Sequence, residues 1–211
     1  MLAHVTLRAL FFCLKSTLII WYSGPMCKAN FYDRAWVMHT VEELVRRCVV
    51  ICPLCGGPLT VHCCYRRHIR DGNGSRHDGW IAQGKCETCK KYPSLIPEFI
   101  MPYKHFEAAV IEAAIWEVEE KGDLGLSSCP ADESTIRRWI HQFGERGAQA
   151  VGWLLSILYA VYDERIGALE LQNKGLLKQL ARLAREIPAP ETDGTISRVN
   201  IILTSHNAGF L

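Results

Sequence analysis

A chain of 211 residues with 49% hydrophobic and 22% charged side chains has the composition of a globular protein, which excludes a low-complexity or disordered one. A formal net charge of +2 excludes nucleic-acid binding by bulk charge alone. Ten cysteines leave two classes open, an exported disulfide framework or an intracellular metal binder.

The first twenty residues, MLAHVTLRALFFCLKSTLII, are apolar but interrupted by His4, Arg8 and Lys15. Their longest clean run falls short of the roughly 20 residues a membrane span needs. No small-residue cleavage site completes a signal peptide. The expectation is a strand over 16–24, buried at Leu18–Tyr22 and ended by Ser23-Gly24-Pro25, in a protein of the reducing cytoplasm. In that compartment paired cysteines bind metal more often than each other.

Residues 38–47 (MHTVEELVRR) predict a short helix capped by Thr40, with Glu42 and Glu43 in its first turn. Val49–Ile51 leads into Cys52-Pro-Leu-Cys55-Gly56-Gly57. Leu59–Arg70 and Gly79–Lys85 predict two strands joined by Asp71-Gly72-Asn73-Gly74, whose glycines tolerate positive φ. Leu95–Pro102 reads as an extended, proline-bounded linker. From His105 the period becomes helical, with Ala108, Ile111, Ile115 and Val118 on one face and glutamates opposite. Gly122–Cys129 predicts a loop. A helix is expected from about Glu133 to Phe143, interrupted at Gly144–Gly147, then an apolar core helix Val151–Tyr162. An amphipathic helix follows over Ala168–Ile187, its stripe Leu176, Leu180, Leu183 and Ile187 packing on that core helix or forming a dimer seam. Pro188-Ala-Pro190 closes it, and Val199–Leu203 predicts a last short strand.

Cys52 and Cys55, and Cys86 and Cys89, form two CxxC pairs separated by the predicted hairpin. Two thiolates at i and i+3 converge on one ion if the chain turns tightly behind the second, and zinc takes four such ligands in a tetrahedron. The expectation is one structural zinc per chain on these four cysteines. A redox pair would need a βαβ context that is missing here. Cys48, Cys63 and Cys64 compete as ligands. Cys63 and Cys64 alternate across a strand, so at most one could join, and both read as small core residues. His62, His68 and His77 lie in the basic hairpin, where solvated or phosphate-facing roles fit better than ligation. A site closed by four cysteines holds a fold together and leaves no position for substrate.

Charge is unevenly distributed. Residues 62–91 carry 7 basic against 3 acidic side chains, whereas 92–128 carry 2 against 7. In the segment starting at Asp132, Ile136, Trp139, Ile140 and Phe143 mark an inner face. Ser134, Thr135, Arg137, Arg138, His141 and Gln142 fall outside or on the flanks, and such side chains suit phosphates and base edges. A plain amphipathic surface helix is the alternative. Arg66, Arg67 and Arg70 of the hairpin are candidate backbone contacts, with a solvated basic face as the alternative.

CPLCGGPL, the basic hairpin, CETCKKY, LIPEFIMPYKHF, a helix and STIRRWI resemble the zinc-ribbon and helix-turn-helix region of insertion-sequence transposases. They resemble more closely short bacterial proteins, common in Gram-positive species, that carry this region without a transposase core. The resemblance covers about residues 50–145. It implies DNA binding linked to mobile elements, Cys52, Cys55, Cys86 and Cys89 as metal ligands, and Thr135, Arg137 and Arg138 in a reading helix.

A transposase core needs three carboxylates on a mixed sheet around two metal ions. The carboxylates after residue 145 (Asp163, Glu164, Glu170, Glu186, Glu191 and Asp193) have no strand series to carry them. The expected fold is α+β: an N-terminal strand and helix segment (1–48), a zinc ribbon (49–102), a helix-turn-helix-like region (103–147) and a C-terminal helical packing or dimerisation region (148–211). The expected function is non-enzymatic, zinc-stabilised binding of double-stranded DNA, as a mobile-element accessory factor or regulator. Homodimerisation or a transposase partner fits this, without membrane or small-molecule substrate. The alternatives are a zinc-ribbon protein adaptor and a degenerate transposase.

Overall fold

The computed structural model of the chain describes residues 12–14, 17–22, 30–47, 50–52, 54–162, 175–189, 192 and 194–205. Strands β3 (Leu59–Arg70), β4 (Arg76–Cys86) and β5 (Ser94–Pro97) form a three-stranded antiparallel sheet. β2 (Thr17–Tyr22) extends it parallel to β5, and β1 (Phe12–Leu14) adds antiparallel to β2, giving the order β1-β2-β5-β4-β3. Five α-helices accompany the sheet among the described residues: α1 (Arg34–Arg46), α2 (Ala108–Lys121), α3 (Glu133–Tyr162), α4 (Leu176–Glu186) and α5 (Thr195–Ser205).

The expected hairpin forms. Asp71 accepts from the N–H groups of Asn73 and Ser75, each at 2.9 Å, and Gly74 alone takes the positive φ, at 77°. A bulge between Val61 and Cys63 turns His62 outward. α1 begins earlier than the sequence suggests, because Asp33 and not Thr40 caps it, accepting from Ala35 N–H at 2.8 Å and Trp36 N–H at 3.3 Å. Its buried stripe, Val37, Val41 and Leu44, joins Leu59, Ile69, Ile81, Leu95 and Phe99 in one core. Phe31 fills the space over Gly79, where a Cβ would lie 1.6 Å from the Phe31 Cε1.

Four expectations are corrected. The segment expected as a linker contains β5, buried at all four positions and hydrogen-bonded on both sides, so Pro97 ends a central strand. α3 runs unbroken through Gly144 and Gly147. A Cβ on Gly147 would meet Leu176 Cδ2 at 2.5 Å, so that glycine marks a close helix crossing and not a break. Val199–Leu203 lies within helix α5, where Ile196, Val199, Ile202 and Leu203 are buried at helical spacing. The last turns of α3 are also less buried than expected: Leu154, Ile157 and Leu158 face the core, whereas Tyr159 and Val161 are each 57% exposed.

α2 organises the helical region through its glutamates. Glu112 accepts from the N–H groups of Thr195 and Ile196, both at 2.8 Å, and so caps α5 from a distance. Glu119 does the same for Leu177 at the start of α4, and Glu117 accepts from Ser128 N–H at 2.6 Å. Burial pushes the Glu119 carboxyl up, and the N–H groups it accepts from pull the other way. Between α2 and α3 lie eleven residues, 122–132, with a 3-10 turn at Leu124–Leu126. The turn of a helix-turn-helix has about three or four. α4 packs on α3, as its leucine stripe predicts, with Leu177, Leu180 and Leu183 buried; residues 168–174 of the expected helix lie outside the described residues. No helix among the described residues is long and apolar enough to cross a membrane.

Candidate functional site

The two cysteine pairs meet through matching backbone turns. Gly56 N–H donates to Cys52 O at 2.9 Å, and Cys52 N–H to Gly57 O at 2.8 Å. Lys90 N–H donates to Cys86 O at 3.0 Å, and Cys86 N–H to Lys91 O at 2.8 Å. The residue closing each turn is left-handed, Gly56 at φ 68° and Lys90 at φ 60°. The knuckles therefore share one conformation, although only the first carries the glycine that suits it. They also touch: a Cβ on Gly57 would sit 2.3 Å from Thr88 Oγ1.

This pairing brings all four Sγ atoms within 4.8 Å of one another. Cys52 lies 3.5 Å from Cys89, and Cys55 lies 3.5 Å from Cys86. A tetrahedron with metal–sulfur bonds of about 2.3 Å has sulfur–sulfur edges of about 3.8 Å, so the donor set fits a single ion. Cys52 and Cys86 are fully buried, Cys89 is partly so, and Cys55 is exposed. Burial pushes the Cys52 thiol up to about 12. Cys86 is also buried, yet the N–H groups of Cys89 and Thr88, with the Cys55 and Cys52 thiols, hold it down to about 6. An ion bound by such a cluster has to displace the thiol protons, so any metal affinity of these four cysteines depends on pH. Cys63 and Cys64 stay outside the cluster, half-buried, at Gln83 Oε1 (3.6 Å) and Arg34 Nε (3.2 Å) respectively. Cys48 lies outside the described residues.

The candidate nucleic-acid residues sit in distinct surroundings. Asp132 caps α3, accepting from Thr135 N–H at 2.8 Å, Ser134 Oγ at 2.5 Å and Thr135 Oγ1 at 2.9 Å. The hydroxyls of Ser134 and Thr135 are thus engaged in the cap, and these bonds hold the Asp132 carboxyl down to about 2. Ile136, Trp139 and Phe143 are buried, as the inner face requires, with Ile140 half-buried. Arg137, Arg138 and His141 are exposed. His141 faces Glu145 at 3.7 Å, and Gln142 accepts from Lys104 Nζ.

On the hairpin, Arg66 lies over the Trp80 ring at 5.2 Å, with Arg34 at 5.6 Å from the same ring. Arg70 lies 5.8 Å from the Phe106 ring, and Phe106 meets Trp139 edge-on at 5.3 Å. Arg70 N–H donates to His105 O at 2.7 Å, and Arg70 O accepts from Glu107 N–H at 3.1 Å. Arg67 turns inward and donates from Nη2 to the carbonyls of Met101 at 2.6 Å and Lys104 at 2.8 Å. Burial lowers the Lys104 ammonium, and Arg138 and Arg146 lower it further.

Lys104 therefore joins the hairpin to α3. Sequence reasoning did not assign it, although Tyr103-Lys104-His105 between a strand and a helix was the available signal. Among the described residues, no carboxylate oxygen lies within 4.0 Å of Arg66, Arg67, Arg70, Lys104, Arg137, Arg138 or Arg146.

Residues 52–139 match a family described as a domain of unknown function (DUF6431). The matched stretch begins at the first cysteine of the cluster and ends at Trp139, so it spans the cysteine cluster, the hairpin and the joint to α3. No curated protein and no solved structure matches the chain.

Proposed function

We propose that the protein is a non-enzymatic DNA-binding factor whose sheet is held by one structural zinc, acting in the cytoplasm as an accessory or regulatory protein of a mobile element. The observation that carries this reading is the group of cations with no carboxylate within ion-pair distance that includes Arg70 beside Phe106 and, around Lys104, Arg138 and Arg146. Unpaired arginines and lysines are what a phosphate backbone neutralises, with release of counterions. The first half of α3 is the reading helix, and Arg137 and Arg138 are its main contacts. Four sulfur donors in a tetrahedron favour zinc, because thiolates select soft or borderline ions over hard ones. Half-site binding favours a homodimer, and a transposase is the other natural partner.

Fluorescence anisotropy with a labelled random duplex at low salt tests the reading. Binding should weaken on replacing Arg137 and Arg138 with alanine, and the salt slope should fall by about one unit for each phosphate no longer neutralised. Absence of duplex binding by the metal-loaded wild type at low salt would sink it. The second reading, a protein-binding adaptor, is favoured by the exposed Tyr159, Val161 and Tyr162 at the end of α3.

A further inference from the structure

We propose that the cleft beside Arg67 is a phosphate-binding site. The cleft has a volume of about 380 Å³ and is lined by Tyr65, Arg67, Ser94, Ile96, Pro102, Tyr103 and His105. A guanidinium has five N–H donors. Arg67 commits Nη2 to two backbone carbonyls, which fix its plane, and Nη1 and Nε have no acceptor among the described residues. A half-buried cation with idle donors and no carboxylate in reach is costly unless an anion completes it.

The rest of the lining points the same way. It contains no acidic side chain, and it offers the Tyr65 hydroxyl, 3.3 Å from Ser94 Oγ, with the Tyr103 phenol and the His105 imidazole. A guanidinium, two phenols and an imidazole in one lining are a donor set that the three or four oxygens of a phosphate can take up. Tyr103 stands at this cleft 59% exposed and in a left-handed backbone conformation, φ 59°. Such strain in a bulky residue is commonly kept where it positions a side chain for a ligand. Ile96, Pro102 and the two phenol rings give an apolar wall against which the body carrying the phosphate can lie.

The inference stands whether or not the chain binds duplex DNA, since the phosphate group itself is the ligand. The test uses the metal-loaded full chain at constant ionic strength, with inorganic phosphate, a thymidine monophosphate, and a short single strand with and without a 5′-phosphate. Titration calorimetry should detect saturable binding of a phosphate-bearing probe that chloride does not reproduce. Whichever of these probes binds most tightly names the source. Arg67→Gln should lower that affinity at least about tenfold. Because Arg67 also pins the Met101 and Lys104 carbonyls, Tyr103→Asn and His105→Gln serve as rim variants that spare the fold, asparagine tolerating the left-handed backbone. Both should weaken phosphate binding at an unchanged melting temperature. A wild type that responds to phosphate only as it does to chloride overturns the inference. So does full affinity retained in all three variants.

Discussion

The sheet and the helical region are stabilised by different means. Around α2, α3, α4 and α5 the core is almost purely aliphatic and aromatic, running from Ile111 and Ile115 through Leu154 and Leu158 to Leu180, Leu183 and Ile202. Around the hairpin the core is smaller and includes two of the four clustered cysteines, Cys52 and Cys86. A helical bundle of this composition can hold itself together by burial. The sheet carries a long exposed hairpin and two knuckles facing each other through sulfur, so an ion held by those sulfurs would clamp it. The bundle's analogue of that clamp is electrostatic: the carboxylates of α2 reach across to cap α4 and α5.

Removing the proposed zinc should separate the two regions most sharply. A strong chelator, or Cys86→Ser, should abolish the dispersed amide signals of the hairpin while far-ultraviolet helix signal persists. Structural zinc contributes on the order of 10 kcal/mol in isolated modules. Loss of both signals together would show the two regions to be one cooperative unit. Acid should release the ion as the thiolates protonate.

Single core truncations come next. Phe31→Ala should cost about 3–5 kcal/mol and Leu183→Ala about 2–5 kcal/mol in urea unfolding with metal bound. The first should speed amide exchange chiefly in the sheet and the second chiefly in the helical region. Smaller, at about 1 kcal/mol, is the effect expected of Glu112→Ala, with faster amide exchange confined to the first turn of α5. Lys90→Gly should stabilise the second knuckle by up to about 1 kcal/mol, since it relieves a left-handed lysine, and Gly56→Ala should do the reverse.

The smallest effect concerns acid. The Asp132 carboxyl is depressed in the folded chain, so its contribution is present above the ordinary carboxylate range. It is lost as pH falls from about 4, the usual value for aspartate, through about 2. Side-chain carbon shifts of Asp132 should titrate in that window, and Asp132→Asn should remove the dependence.

Much of the sheet is legible in the sequence. The Asp71–Gly74 turn and the strand over Leu59–Arg70 are local signals that the fold bears out, and the CxxC spacing corresponds to four cysteines close enough together to hold a metal ion. β5 is not legible, because a four-residue apolar run ending in Pro97 carries no period, and its partners in β2 and β4 lie far away in sequence. The same reason hides α5. Val199–Leu203 is too short to distinguish strand from helix, and what decides is Glu112, more than eighty residues away, holding the first turn. Gly144 and Gly147 suggest an interruption because glycine lowers helix propensity, but Gly147 lets α4 approach closely and packing outweighs that cost.

The sequence by itself marked four cysteines as two pairs flanking a basic hairpin, since residues at i and i+3 converge on a tight turn and a hairpin returns its two ends to each other. It also determined the apolar faces of the helices through their period. Only the tertiary structure decided which charges are spent and which are free. Glu112 and Glu119 of α2, which the helical period sets opposite the apolar face, are committed to helix ends. Arg67 is drawn inward, and Lys104, which carries no motif of its own, bridges the hairpin and α3. Whether a charge is free depends on partners far away in the chain, and those partners are set only when the two cores pack.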